Sequence, residues 1–325
     1  MSNPFRGCAG AAALATTLVV CACSAPPDRD PIRPSAELST PLPQRHLRLG
    51  GLRIRYVDVE SESANRTAPP LILVTGHTSR VEEYDALIPA LSQRRRVLVL
   101  DFPGSGYSSK PEREYTLAFY EETLLAFLDA LGVTRADIAG GSLGGNLTLR
   151  LAWRAPDRFR RAVAWAPGSA WDAHPSVASA MRALPGRMLF WPTVWLQSRF
   201  WYSRDWPQRE AALATTFAYY QEVMSPGFLR MYWGIAADQV GSSLFDIAPE
   251  IRLPVLLAWG DRDNGANMGA GVAKLARLIP GAELRVFPGA RHSLASEVPA
   301  ELAAEIDAFL SRDDLGPLTP LPRSH

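Results

Sequence analysis

Short, solidly apolar segments alternate with longer segments of helical periodicity along most of this 325-residue chain. The apolar segments lie at residues 71–74, 97–100, 162–166, 255–259 and 284–287. The helical patterns lie at residues 82–91, 117–131, 143–153, 268–279 and 299–310. Strands that are apolar throughout are buried on both faces, as in a parallel sheet covered by helices on both sides. The alternation therefore predicts an α/β fold with a mostly parallel central sheet flanked by helices.

Two regions depart from this alternation. Residues 47–57 alternate apolar and polar side chains around Gly50-Gly51, which predicts an antiparallel hairpin. Residues 171–249 have a helical pattern and hold six of the nine tryptophans. We expect this second region to be a helical cap, inserted between a first part of the core at 45–170 and a second part at 250–311.

The N-terminal residues have the pattern of an export signal. Arg6 precedes an apolar run at 7–22 that is short for a membrane span, which predicts a signal peptide at 1–22. The ending Val20-Cys21-Ala22-Cys23 resembles a bacterial lipobox, which implies a lipid on Cys23. An ordinary cleaved signal and an uncleaved anchor are the alternatives. We expect an exported lipoprotein, anchored to a membrane of the cell envelope on its periplasmic or extracellular face.

Composition limits the remaining classes of function. The net charge of +1 gives no field that would attract nucleic acid. The three cysteines all lie within the first 23 residues, so the rest of the chain can form neither a disulfide nor a cysteine metal site. No cluster with metal-ligand spacing is visible, and we predict neither a metal nor a cofactor. The proline-rich residues 23–44 are predicted to be an extended tether, and residues 312–325 a loose tail.

One motif carries the candidate nucleophile. A short apolar stretch leads into the G-x-S-x-G pattern Gly140-Gly141-Ser142-Leu143-Gly144, and a helical pattern follows it. In this strand–turn–helix context the serine hydroxyl is lifted out at the carboxyl edge of the sheet. The turn is so tight that only small residues fit two positions away, which accounts for Gly140 and Gly144 in the predicted nucleophile elbow. The helix start behind the serine favours a developing anion.

A nucleophilic serine needs a base, and the base needs an acid that orients it. His292 lies in the loop after the last predicted strand. Asp261 and Asp263 both follow the strand at 255–259. The order serine, aspartate, histidine along the chain, with each residue just past a strand end, is typical of a hydrolytic triad on an α/β sheet.

These motifs resemble the α/β-hydrolase superfamily over roughly residues 46–311. Two further segments agree: residues 74–77 resemble the family's His-Gly turn, and residues 101–108 its D-x-P-G-x-G-x-S segment. The resemblance implies that Asp263 rather than Asp261 is the acid. It also implies that the backbone amides of His77 and Leu143 form the oxyanion hole.

The chain departs from the family pattern at two positions. Thr75 and Gly141 stand where the family often has histidine. Neither departure removes a catalytic group, because the oxyanion hole uses backbone amides. His77 is itself unusual at its position, and no role is predicted for its side chain.

The expected activity is that of a serine hydrolase. The triad would cleave an ester or similar acyl bond of a hydrophobic small molecule through an acyl-enzyme. A serine nucleophile argues against the dehalogenases and epoxide hydrolases of the same superfamily, which use aspartate. A lactonase, a carbon–carbon bond hydrolase and a non-catalytic ligand-binding lipoprotein remain alternatives.

Overall fold

The computed structural model describes residues 34–62, 68–183, 186–264 and 268–313. The predicted signal peptide at 1–22, the lipid site at Cys23 and most of the predicted tail lie outside the described residues. Eight strands are present in the described part of the chain: β1 (Gln44–Leu49), β2 (Leu52–Val59), β3 (Leu71–Val74), β4 (Val97–Leu100), β5 (Ala136–Gly141), β6 (Phe159–Trp165), β7 (Val255–Gly260) and β8 (Glu283–Phe287).

The strands form one sheet in the order β1-β2-β4-β3-β5-β6-β7-β8. The predicted hairpin is the β1–β2 pair, with Leu49 opposite Leu52, and β2 is also antiparallel to β4. Every other neighbouring pair is parallel. The carboxyl ends of β3, β5, β7 and β8 therefore lie along one edge of the sheet. The predicted fold class, an α/β fold with a mostly parallel central sheet, is confirmed.

Helices cover both faces of this sheet. Those of the described chain are α1 (Ile88–Ser92), α2 (Leu117–Ala130), α3 (Leu143–Arg154), α4 (Pro175–Arg182), α5 (Gly186–Trp201), α6 (Arg209–Val223), α7 (Pro226–Gly241), α8 (Met268–Leu278), α9 (Leu294–Glu297) and α10 (Pro299–Leu310). Side chains of α2, α3 and α8 pack with Ile72 and Val74 in one apolar core. Side chains of α1 and α10 pack with Leu71 and Leu73 in a second core. Adjacent residues of β3 thus face opposite cores, as a strand that is apolar throughout requires.

The helix predicted at 82–91 is divided into two short pieces. A 3₁₀ helix spans Val81–Tyr84, and α1 starts only at Ile88. Pro89 lacks an N–H group, and its ring would clash with the carbonyl of residue 85 in a continuous helix. The Val81 amide also donates to the Asp101 carboxylate, 2.9 Å away, which holds the first piece against the sheet.

The structure describes the end of the predicted tether, residues 34–44, and this part lies against the body. Residues Ala36–Leu38 form a 3₁₀ helix whose Leu38 side chain is buried. The Thr40 amide donates to Glu82 over 3.1 Å, and the Thr40 hydroxyl donates to Asp85. These polar contacts explain how a proline-rich segment stays close to the body.

Four helices, α4 to α7, lie between β6 and β7, in the region predicted as the cap. Phe190 of α5 is at the centre of their packing. Its ring lies within 5.6 Å of the ring centroids of four other aromatic residues: Trp191, Tyr220, Phe228 and Tyr232. No helix in the described ranges is both long enough and apolar enough to cross a membrane.

Candidate active site

Ser142 occupies a strained turn between β5 and α3. Its backbone has φ 55° and ψ −120°, a left-handed conformation that non-glycine residues rarely adopt. A Cβ atom on Gly144 would lie 1.9 Å from the carbonyl oxygen of Val74, and one on Gly140 would lie 2.6 Å from the Gly144 backbone. The glycines predicted for the elbow are thus located where only hydrogen fits.

Gly141 makes room for a tryptophan. A Cβ atom at this position would lie 1.9 Å from Nε1 of Trp165, the last residue of β6. The Trp165 carbonyl also accepts a 3.0 Å hydrogen bond from the Ser142 amide. Where the family often has histidine, this chain has Gly141, and the Trp165 side chain of the neighbouring strand fills the space.

His292 and Asp263 meet at the carboxyl ends of β8 and β7. His292 Nδ1 lies 2.8 Å from Asp263 Oδ2, and the Asp263 side chain is only 2% exposed. A carboxylate only accepts, so Nδ1–H donates and Nε2 keeps a lone pair for the serine proton. Asp261 is exposed and instead accepts a 2.7 Å bond from the Gly289 amide. Gly260 lets the two loops approach, since its Cβ would lie 2.5 Å from the Ala290 carbonyl.

The surroundings of His292 strengthen it as a base. Burial alone would lower the pKa of His292, but the acidic groups around the ring together outweigh burial and raise the pKa above its ordinary value of 6.5, with the charge and hydrogen bond of Asp263 contributing most. The charges of Glu83 and Glu297 act in the same direction. A more basic imidazole accepts the serine proton more readily.

Of the two predicted oxyanion residues, one directly follows Ser142 in the chain and the other lies in the loop after β3. Leu143 is the first residue of α3, where backbone amides have no partner within the helix. His77 follows β3, and its Nε2–H donates to the Tyr232 carbonyl over 3.0 Å while its ring stacks on that of Tyr232. Burial lowers the pKa of His77 to about 4, so the ring is neutral. The His77 side chain therefore joins its loop to α7.

A second cap tyrosine holds the same loop. The Tyr220 hydroxyl lies 2.8 Å from Thr78 Oγ1, and Thr78 has a positive φ of 60°. Two cap helices, α6 and α7, thus position the loop that carries the His77 amide. The sequence motif could not reveal this link, because Tyr220 and Tyr232 are distant from the loop along the chain.

A cavity of about 360 Å³ lies between the sheet edge and the cap. Ser142, Asp263 and His292 all line it, as do Gly76 and His77. Its walls are rich in aromatic side chains: Tyr84, Trp165, Trp171, Phe200, Trp201, Tyr202, Tyr220 and Tyr232. Six of these eight come from the region predicted as the cap, from which the sequence alone could not select them.

Glu83 is a cavity residue that the sequence reasoning missed. It follows the oxyanion loop in the 3₁₀ helix Val81–Tyr84 and lies on the cavity wall with His292. Burial raises the pKa of Glu83, against the opposing influence of Ser79, Arg80 and His292. Within the described residues, Glu83 and Asp263 are the two acidic side chains of the cavity wall. Only the fold brings residue 83 next to residue 292.

Metal ligands are not gathered at this site. Within the described ranges, no group of three or more histidine, cysteine, aspartate or glutamate side chains is arranged to hold a metal ion. The arrangement can take a proton from a serine, hold the resulting imidazolium, and donate backbone hydrogen bonds to an anion in a largely aromatic cavity.

Comparison with known proteins agrees with this fold. A family profile for the alpha/beta hydrolase fold matches residues 69–208. A 2-hydroxymuconate semialdehyde hydrolase of Pseudomonas putida is 31% identical over 241 residues, covering 69% of this chain and 79% of the relative. The carboxylesterase YbfK of Bacillus subtilis is 27% identical over 254 residues, covering 76% of this chain and 82% of the relative.

A solved structure is also similar to this chain. The enol-lactonase from Burkholderia xenovorans superposes with a TM-score of 0.70 at 25% identity, covering 82% of this chain and 100% of the lactonase. The chain belongs to the α/β-hydrolase family of enzymes. The relatives differ in the bond they cleave, so membership alone leaves the substrate open.

Proposed function

We propose that this protein is a serine hydrolase that cleaves an ester or similar acyl bond of a hydrophobic small molecule. The observation that carries the proposal is the 2.8 Å His292–Asp263 hydrogen bond in a cavity that Ser142 also lines. The acid is buried, the base is oriented, and the serine lies on a strained turn at the start of a helix. This combination supports a catalytic role over a role in ligand binding alone.

The reaction follows from these positions. Nε2 of His292 takes the hydroxyl proton as Ser142 Oγ bonds to the carbonyl carbon, and the carbonyl electrons move to its oxygen. The amides of His77 and Leu143 stabilise that oxyanion, each by about 3 kcal/mol in related systems. His292 then protonates the leaving alcohol as the acyl–oxygen bond breaks. In the second half, Nε2 of His292 takes a proton from a water molecule as the water oxygen bonds to the acyl carbon. The bond from that carbon to Ser142 Oγ then breaks, His292 returns the proton to Oγ, and the acid is released.

The cavity supports a hydrophobic substrate of modest size. Its volume of about 360 Å³ lies near the lower end of the usual range for small-molecule sites. Aromatic walls offer apolar area with little conformational freedom to lose. Glu83 adds one polar group that can hydrogen-bond to a donor on the substrate.

Labelling with a fluorophosphonate tests the proposal directly, because the probe reacts only with an activated serine. We expect the full chain to be labelled and to hydrolyse a p-nitrophenyl ester. Ser142→Ala should lose both properties, with turnover falling on the order of 10⁶-fold as in other serine triads. Ser296→Ala removes another cavity hydroxyl and serves as the matched control. Labelling that survives in Ser142→Ala would exclude Ser142 as the nucleophile.

Carbon–carbon bond hydrolysis is the second candidate. It is favoured by the 31% identity to a hydrolase of 2-hydroxymuconate semialdehyde, and it would use the same serine, histidine and oxyanion groups. A panel that contains simple esters, an enol lactone and a vinylogous diketone separates the candidates. Activity confined to the diketone would replace the ester proposal.

We further propose that the chain is exported and carries a lipid on Cys23, which would place the enzyme at a membrane of the cell envelope. The lipobox-like ending Val20-Cys21-Ala22-Cys23 supports this proposal. Mass spectrometry of the mature N-terminus tests it. We expect an acylated residue 23, and an unmodified N-terminus at any other position would contradict the proposal.

A further inference from the structure

One face of α5 is apolar and exposed to solvent. Within the described residues, eight large hydrophobic side chains are exposed, and five of them lie on this single helix. Their exposed fractions are 77% for Met188, 38% for Trp191, 57% for Trp195, 54% for Leu196 and 42% for Phe200. Single exposed apolar residues are ordinary, but a contiguous group on one helix marks an interaction surface.

The spacing places these residues on one side of the helix. Met188, Trp191 and Trp195 are separated by three and four positions, and Leu196 and Phe200 by four, so these residues form two neighbouring rows on the exposed side of the helix. The other side of α5 buries Phe190, Val194 and Ser198 against the rest of the cap. A helix packed on a soluble protein usually turns a polar face outward, whereas α5 is apolar on both sides.

The charges of α5 indicate the kind of partner. The helix contains Arg187 and Arg199 and no acidic residue. The Arg199 guanidinium lies over the Trp195 ring at 4.0 Å, so a positive charge is held within the apolar face. Tryptophan beside arginine is typical of helices that lie at a membrane surface with anionic lipids. A two-fold contact with a second copy would instead bring the same arginines toward each other.

The face continues to the mouth of the cavity. Gln197 and Phe200 are exposed on α5 and also line the cavity. At the end of the helix, the Trp201 carbonyl accepts a 3.0 Å hydrogen bond from the Ser293 amide, next to His292. A surface that covered the apolar face would therefore lie directly beside the opening of the candidate active site.

We propose that the exposed face of α5, formed by Met188, Trp191, Trp195, Leu196 and Phe200, docks on a lipid bilayer that contains anionic headgroups. Docking of this face brings the cavity opening to the lipid surface, where apolar substrates concentrate. That consequence rests on the proposed hydrolase function, but the docking does not. A Ser142→Ala protein should bind vesicles as the native protein does.

A site-specific fluorophore tests the docking whether or not a lipid anchors the N-terminus. Cysteine occurs in this chain only at residues 8, 21 and 23. Replacing these three with serine in the full chain and introducing Leu196→Cys gives a single labelling site on the α5 face. Val286→Cys gives the matched control on β8, since Val286 is 47% exposed and Leu196 is 54% exposed. Both are labelled with a nitrobenzoxadiazole dye, which brightens and shifts to the blue when it leaves water.

We expect vesicles of mixed phosphatidylglycerol and phosphatidylcholine to brighten the dye several-fold at position 196 and to leave it unchanged at position 286. Vesicles of phosphatidylcholine alone should bind more weakly. An unchanged signal at 196, or an equal response at both positions, overturns the proposal. Equal affinity for both vesicle types overturns the anionic headgroup as the partner. Brightening that depends on protein concentration without vesicles assigns the face to a second copy of the chain.

A pair of double variants checks that the apolar face is responsible. Met188→Ser/Trp195→Ser in the 196-labelled chain should weaken vesicle binding on the order of tenfold or more, since binding scales with buried apolar area. Trp153→Ser/Val286→Ser removes two exposed apolar residues elsewhere, 36% and 47% exposed, and should bind as the parent does. Equal loss in both double variants would assign the binding to general surface hydrophobicity and overturn the proposal.

Discussion

The edge of the sheet and the helical cap form opposite walls of one cavity, but they are built differently. At the sheet edge, Gly140, Gly144 and Gly260 each face a backbone atom that would lie within 2.6 Å of an added Cβ. In the cap, one helix carries both a fully buried Phe190 and a Met188 that is 77% exposed. We therefore expect these edge positions to tolerate almost no added side chain, and exposed positions on the cap surface to tolerate many.

This difference assigns the reaction chemistry to the sheet edge and the choice of substrate to the cap. Proton transfer needs groups held to a fraction of an ångström, and the dense packing of strand ends supplies that precision. Substrate choice needs only shape and apolar area, which cap helices can vary without moving the triad. The contacts from Tyr220 and Tyr232 to the oxyanion loop link the two regions next to the candidate nucleophile.

The largest effect should come from the sheet edge. Asp263→Asn keeps the shape of the acid but removes the charge that orients and stabilises His292, so turnover of an ester should fall by about 10⁴-fold. Asp261→Asn is the matched control, because Asp261 is exposed and its carboxylate accepts from the Gly289 amide rather than from His292. Steady-state kinetics of the two variants measures the difference. A larger loss in Asp261→Asn would show that the acid is assigned to the wrong aspartate.

Inside the cap, Phe190→Ala should be the most destabilising change. The side chain is 1% exposed and contacts four aromatic rings, so its removal leaves a cavity that costs about 3–5 kcal/mol. Trp195→Ala on the outer face of the same helix should change the free energy of unfolding by less than about 0.5 kcal/mol. Urea denaturation compares them. Similar values for both would show that the cap has no distinct interior.

Gly144→Ala tests the packing of the elbow. Its new Cβ must displace the Val74 carbonyl, which we expect to cost about 3 kcal/mol and to misplace the Ser142 hydroxyl. Gly132→Ala meets no atom within 4 Å, so it should cost only the roughly 1 kcal/mol of its positive φ. Unfolding free energies and ester turnover are measured together. Full activity in Gly144→Ala would mean that the turn relaxes more easily than its contacts indicate.

The smallest effect should be a shift in the pH dependence of kcat/KM when Glu83 loses its charge. His292 acts as a base only when neutral, so kcat/KM should rise with pH through the pKa of His292, which lies above its ordinary value. The charge of Glu83 contributes to that elevation, so Glu83→Gln should move the acidic limb to lower pH. Glu301→Gln, an exposed change on α10, should leave the limb in place. A limb that moves to higher pH in Glu83→Gln would contradict the arrangement.

Much of the sheet could be predicted because its signals are local. Each strand that is apolar throughout is recognisable from four or five residues. The strand–turn–helix motif around Ser142 is equally short. The helix predicted at 82–91 failed because tertiary contacts of Val81 and the ring of Pro89 divide it. The sequence could not show which aromatic residues of the cap line the cavity. The same residue types occur on the cavity wall and in the buried packing between the helices.

The sequence by itself determined the fold class, the order of the candidate triad and the small residues of the elbow. These depend on periodicity, on order along the chain and on motifs within short segments. Only the tertiary structure placed Glu83 beside His292, filled the space at Gly141 with Trp165 and tied His77 to Tyr232. Among the residues that the structure describes, it also left the apolar face of α5 exposed. The reason is physical: contacts between distant segments arise from the packing of whole helices and strands, which no short segment of the chain contains.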